Sequence, residues 1–306
     1  MTASSPVLPP PSLRVLLYHV VDYAGLFPPA SLPMEDAIRE YARQRAGDDA
    51  WALGRFVLPA ARLEEFEGAA GGNLPASGAH SWALSALLGS HIEEDLDRIE
   101  VFNERHRDPR SGAVIVDTVE LKTHTARDIM RASEMLDRRF DTYIEIPVAD
   151  DPAELIDAIS NTIAKAKIRT GGVTEDAFPS SAHVVRFVQR CVAHNVAFKA
   201  TAGLHHPWRA EYRLTYAPDA PRGVMYGFLN MLLCTAAVIG AFGEGVALGV
   251  LEERDPSAVR FDEQGAHWRG TTFSTDMLDQ ARESIVSFGS CSFAEPVADL
   301  RALHLL

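Results

Sequence analysis

Lys199 stands in an apolar stretch, Phe198-Lys199-Ala200-Thr201-Ala202-Gly203. A lysine withdrawn from water gives up its proton more readily, and a free amine adds to carbonyl carbons. Lys167 lies in a second alternating stretch, Lys165-Ala166-Lys167-Ile168-Arg169, and its charge beside Lys199 would favour the neutral amine further. Glu145, in Thr142-Tyr143-Ile144-Glu145-Ile146-Pro147, adds a carboxylate able to carry protons. Together these residues suit Schiff-base chemistry: aldol cleavage, dehydration or decarboxylation. The same three also suit a buried ion-pair layer that only closes the floor of a fold.

His205 and His206 follow the Lys199 stretch. Neighbours on extended chain point to opposite sides, so one of the two faces a site, as acid, base or metal ligand. A metal reading needs carboxylates such as Glu145 and Asp117 to complete it, because no HxH or HExxH spacing is present. Arg169 opens into Thr170-Gly171-Gly172, where a guanidinium and close backbone approach suit an anion. Gly289-Ser290-Cys291-Ser292 precedes a helix signature, with Glu295 three residues after Ser292. Ser290 and Ser292 there suit either an anion site at a helix start or plain capping. Residues 22–29 mix Asp22 and Tyr23 with Leu26, Phe27, Pro28 and Pro29. Such a segment suits a flap over a binding site with Asp22 or Tyr23 reaching in, or a hydrophobic plug.

Something must hold these residues together. Strand-like runs recur at residues 55–59, 82–88, 114–121, 142–147, 164–169 and 197–201, with helical periods between them. A step of about 25–30 residues is a βα repeat, and six or more in succession imply a parallel sheet. No GxGxxG follows an early strand, so a dinucleotide fold of the Rossmann type is not indicated. Side chains alternate along strands, so Ile144, Ile168 and Ala200 share one face while Glu145, Lys167, Arg169 and Lys199 share the other. Charges gathered on one face of successive strands fit the interior of an α/β, TIM-barrel-like (β/α) barrel, whose site lies at the C-terminal mouth. The expected layout is a disordered lead-in over residues 1–12 and one barrel-like domain over 13–306. Its C-terminal elaboration contains an apolar helix (224–243), a hairpin near Gln264-Gly265, a helix over 274–286 and a tight loop over 288–293.

Composition narrows the function. Twenty-nine Lys and Arg against 42 Asp and Glu leave a charge of −13, which argues against a nucleic-acid partner. Cys191, Cys234 and Cys291 lie far apart and form no CxxC, which suits a reducing cytoplasm. Residues 224–242 are apolar but interrupted by Asn230 and lack flanking positive charge, so a buried helix is expected rather than a membrane span. The same helix leaves a homodimer open.

The stretches DYAGLFPPA, RFVLPAARL, KIRTGG, FKATAGLHHP and FGSCSFAEP resemble an uncharacterised bacterial protein family, a resemblance that brings no activity with it. More loosely, a lysine on a strand running into Thr201-Ala202-Gly203 resembles class I aldolases of the deoxyribose-phosphate type. That resemblance implies a barrel, a Schiff base on Lys199 and Lys167 as the neighbouring lysine. The flanking sequence departs from theirs, and His205-His206 has no counterpart there. Three functions follow. The first is a lyase using Lys199, without cofactor or metal, on a small anionic substrate. The second is a metal-dependent hydrolase or lyase using His205 or His206. The third is a non-catalytic binder of small anions.

Overall fold

Eight parallel strands pair side by side and close on themselves in the computed structural model, which describes residues 9–76, 81–136 and 138–306. They are β1 (Val21–Tyr23), β2 (Leu53–Pro59), β3 (Trp82–Leu87), β4 (Val114–Lys122), β5 (Asp141–Glu145), β6 (Lys165–Arg169) and β7 (Phe198–Thr201). Two small antiparallel sheets follow: β8 (Ala210–Arg213) with β9 (Arg222–Met225), and β10 (Val259–Phe261), β11 (Gly265–Trp268) and β12 (Thr271–Ser274). β13 (Ile285–Ser290) then inserts between β7 and β1 and closes the barrel. The chain is a TIM-barrel-like α/β fold.

Helices pack outside the ring because one parity of each strand is apolar. Ile144, Ala166, Ile168, Phe198 and Ala200 are fully buried against that outer layer. Caps set where helices begin. Thr125 accepts from the Asp128 amide, Ser180 from His183 and Ser274 from Met277. The apolar run becomes strand β9 followed by a helix, Phe228–Ile239, whose residues 228–237 are all buried within this chain. Among the described residues no helix is long and apolar enough to cross a membrane. All three cysteines are free.

Four boundaries differ from the sequence reading. The lead-in reaches only Pro10: Pro11–Leu17 is a helix, and Ser12 is buried, donating to the Asp262 carbonyl. Residues 1–8 lie outside the described residues. The expected helix over 274–286 stops at Ser284, and the expected loop 288–293 is largely the last barrel strand. Asp22 and Tyr23 are in the first barrel strand rather than in a flap. The flap begins after them, at Ala24.

Candidate active site

The inward side chains of the strands form a compact ion network. Lys167 and Lys199 are register partners across β6 and β7. Glu120 of β4 bridges them: Oε2 lies 2.8 Å from Lys167 Nζ and Oε1 lies 2.6 Å from Lys199 Nζ. Lys199 also donates to Asp22 Oδ2 at 2.6 Å, and Lys167 pairs with Glu145 Oε2 at 3.1 Å. Ser85 donates to Glu120 and Ser287 to Asp22, so each carboxylate accepts from a hydroxyl as well as from an ammonium. The Tyr143 ring lies under Lys199, its centroid 5.3 Å from Nζ. Gly54 makes room for Asp22: a Cβ there would lie 2.5 Å from Asp22 Oδ1, which accepts the Arg55 amide.

Solvent exclusion sets the charges. Burial alone would lower the Lys199 pKa, but Asp22 and Glu120 overcome it and hold it well above the usual lysine range. Burial alone would raise the Glu120 carboxyl, but the two ammonium groups hold it far below the carboxylate range. The expected free amine at Lys199 is therefore corrected: it is a fixed cation, 1% exposed. Apolar flanks suggest a desolvated lysine, but its carboxylate partners come from strands far away in sequence.

A cavity of about 230 Å³ opens above this network at the C-terminal ends of the strands. Lys167, Lys199 and Glu120 are at its floor, Arg169 reaches it from the end of β6, and Gly172 and His205 reach it from the loops. Phe27, Pro28 and Pro29 close one side, so residues 24–29 do fold over the mouth. A wider groove of about 650 Å³ lies over the ends of β3 and β4 and reaches the network only through Lys122.

The two histidines divide as their adjacency requires. His205 faces the cavity, its Nδ1 lying 3.5 Å from Glu295 Oε2, 3.7 Å from Cys291 Sγ and 3.4 Å from Ser290 Oγ. Burial acts to lower the His205 pKa, but Cys291 and Glu295 outweigh it and push it up to about 9. His206 turns away: it stacks on Tyr212 at 3.5 Å between centroids and meets Asp299 at 2.6 Å. It does not line the cavity.

Other expected residues also move. Tyr23 points outside the barrel and packs on Tyr41 and Phe56. Its hydroxyl is buried without a partner, and it does not reach the cavity. Asp22 is inside, but as the counter-ion of Lys199 rather than a substrate contact. Ser292 accepts the Glu295 amide and ties the start of the helix Ala294–Ala302, the capping alternative. Ser290 is buried beside His205. Gly171 lies under Phe178, where any Cβ would collide with the ring, and only Gly172 of the pair lines the cavity. Asp117 sits lower in the barrel on Arg55, at 2.6 Å. Among the described residues no group of three or more His, Cys, Asp or Glu is arranged to hold a metal ion.

Glu120, Cys291 and Glu295 are site residues that sequence reasoning did not single out. Cys291 meets His205 at a sequence separation of 86, a pairing that no local spacing announces. Glu120 is hidden by an irregularity in β4, where the register shifts between Leu84 and Ser85 of β3. No protein-family model, curated protein or solved structure matches the chain.

Proposed function

We propose that the chain is an enzyme that forms a Schiff base with a small carbonyl substrate and cleaves or makes a bond beside it, as aldolase-type lyases do. The observation that carries this reading is the in-register pair Lys167–Lys199, bridged by one carboxylate at the floor of the mouth cavity. The nucleophile in this reading is Lys167 rather than Lys199. Lys199 is clamped by two carboxylates at 2.6 Å, whereas Lys167 holds its partners at 2.8 and 3.1 Å and is more exposed, at 8%. Lys199 then serves as a fixed positive charge beside the reacting nitrogen.

The steps follow from the positions. Glu145 takes a proton from Lys167, whose nitrogen adds to the carbonyl carbon. The carbinolamine loses water with a proton supplied by the imidazolium of His205, which leaves an iminium. The now neutral His205 takes the proton of the substrate hydroxyl, the adjacent carbon–carbon bond breaks to release a carbonyl fragment, and its electrons pass into the iminium to give an enamine. Protonation at carbon and hydrolysis return the amine. General acid–base steps of this kind contribute about 10²–10⁴-fold each.

Borohydride reduction in the presence of a panel of small aldehydes and keto acids tests the reading. One substrate mass minus oxygen should be added to Lys167, and Lys167→Ala should abolish the addition. Addition at Lys199 would reverse the two roles. Tight ligand binding with no addition anywhere would leave a binding protein in place of a lyase.

A further inference from the structure

The lining of the cavity differs from side to side, and the difference bears on what fills it. On the β6–β7 side are Lys167, Arg169 and His205, with Thr201 carrying the one side-chain hydroxyl of the lining among the described residues. Across from them are Phe27, Pro28, Val57 and Leu87, which present carbon only. The hydroxyls nearest the floor, Ser85 and Ser287, are committed to Glu120 and Asp22. A polyhydroxylated chain would lose its water hydrogen bonds against that wall and regain few.

Arg169 is exposed and its side chain makes no hydrogen bond or ion pair with any described residue, so its guanidinium is open to an anion at the rim. It lies two residues beyond Lys167 on the same strand face, about 7 Å further up the barrel. The charge balance favours a single negative charge there. Lys122, Lys167, Lys199, Arg169 and His205 stand against Asp22, Glu120, Glu145 and Glu295, five cations against four carboxylates. One carboxylate balances that surplus, and a dianion overshoots it. A planar carboxylate also matches the guanidinium fork in two parallel bonds.

We propose that the substrate is a small oxo-acid, with its carbonyl at Lys167, its carboxylate on Arg169 and an apolar chain against Phe27, Val57 and Leu87. A cavity of about 230 Å³ admits such a molecule. This inference rests on the Schiff-base reading for the place of the carbonyl, but the apolar carboxylate class can be tested without any imine.

The test uses the whole chain in isothermal titration with pentanoate, which has the chain and the carboxylate but no carbonyl, and with glycerol 3-phosphate. Pentanoate should bind at least tenfold more tightly than glycerol 3-phosphate, and Arg169→Met should weaken it about tenfold or more. Equal or tighter binding of glycerol 3-phosphate, an unchanged affinity in Arg169→Met, or no binding of pentanoate would each overturn the class. Reductive trapping with 4-oxopentanoate and glyceraldehyde 3-phosphate then separates the two ideas. Pentanoate binding with no trapped oxo-acid sinks the Schiff base and keeps the class. Preferential trapping of glyceraldehyde 3-phosphate sinks the class and keeps the Schiff base.

Discussion

The barrel carries two ionic layers, one on either side of Tyr143, built from the same kinds of residue and placed in different amounts of water. The upper layer joins Asp22, Glu120, Glu145, Lys167 and Lys199, none of whose side chains is more than 11% exposed. The lower layer joins Arg55 to Asp117 and Asp141, and Lys165 to Asp141, with side chains 25–43% exposed. Lys165 and Lys167 are two residues apart on one strand, and Tyr143 lies between Asp141 and Glu145 in the same way. The Tyr143 centroid is 5.4 Å from Lys165 Nζ and 5.3 Å from Lys199 Nζ, so one ring separates the layers. Half-exposed ion pairs are screened and contribute little. Buried pairs are costly to desolvate and gain little over an apolar core. The lower layer is therefore surface electrostatics at the base of the barrel. The upper layer needs another reason to exist, and it is the one that faces a cavity.

Removing one cation from each layer gives the largest contrast. Lys199→Met leaves Asp22 and Glu120 buried together without their shared counter-ion, and should lower unfolding free energy by about 3–5 kcal/mol. Lys165→Met should cost under about 1 kcal/mol, and less still in 1 M salt. Urea unfolding at neutral pH measures both. Equal losses would mean that the layers do not differ as their exposure indicates.

The contrast between the layers was only partly legible in the sequence. Alternation within β6 and β7 put Lys167 and Lys199 inside because those strands are short and regular. In β4 the shift of register lets Asp117 and Glu120, of opposite parity, both turn inward. Simple alternation therefore selects at most one of them. The three residues of β1 are too few to show a period, so Asp22 read as part of a loop. β13 ends in Phe288-Gly289-Ser290, whose composition is that of a turn, and its pairing is set by β7 and β1. Charge types were visible locally, but which charges meet depended on strand order, and that is why Lys199 looked like a free amine.

The rim of the upper layer should make stability depend on pH. His205 has a folded pKa of about 9 against about 6.5 for an unfolded histidine, so the folded state holds the proton more tightly. A raised value contributes stability that is fully present below about pH 6.5 and is lost as pH rises through about 9. The difference in unfolding free energy between the parent and His205→Gln should shrink over that window by an amount on the order of 2–3 kcal/mol. Denaturant titrations at pH 6 and pH 10 measure it. A difference that grows with pH would mean that Cys291 and Glu295 do not hold the imidazolium.

The smallest expected effect marks where the upper layer ends. Lys122 Nζ lies 3.8 Å from Glu145 Oε1, but its side chain is 58% exposed, so water carries most of its solvation. Lys122→Ala should change stability by under about 0.5 kcal/mol and trapping at Lys167 by less than about twofold. Glu145→Gln keeps the shape but cannot accept the proton of Lys167, and should slow trapping by about 10²-fold or more. Lys122→Ala removes the partner of one oxygen, whereas Glu145→Gln changes the whole carboxylate, so their ratio reports how much the solvent-side oxygen matters. If Lys122→Ala slows trapping as much as Glu145→Gln, the proton acceptor is tuned from the solvent side and the buried layer extends to the rim. If only Glu145→Gln does, proton transfer belongs to the oxygen that faces Lys167, and the exposed lysine has no part in it.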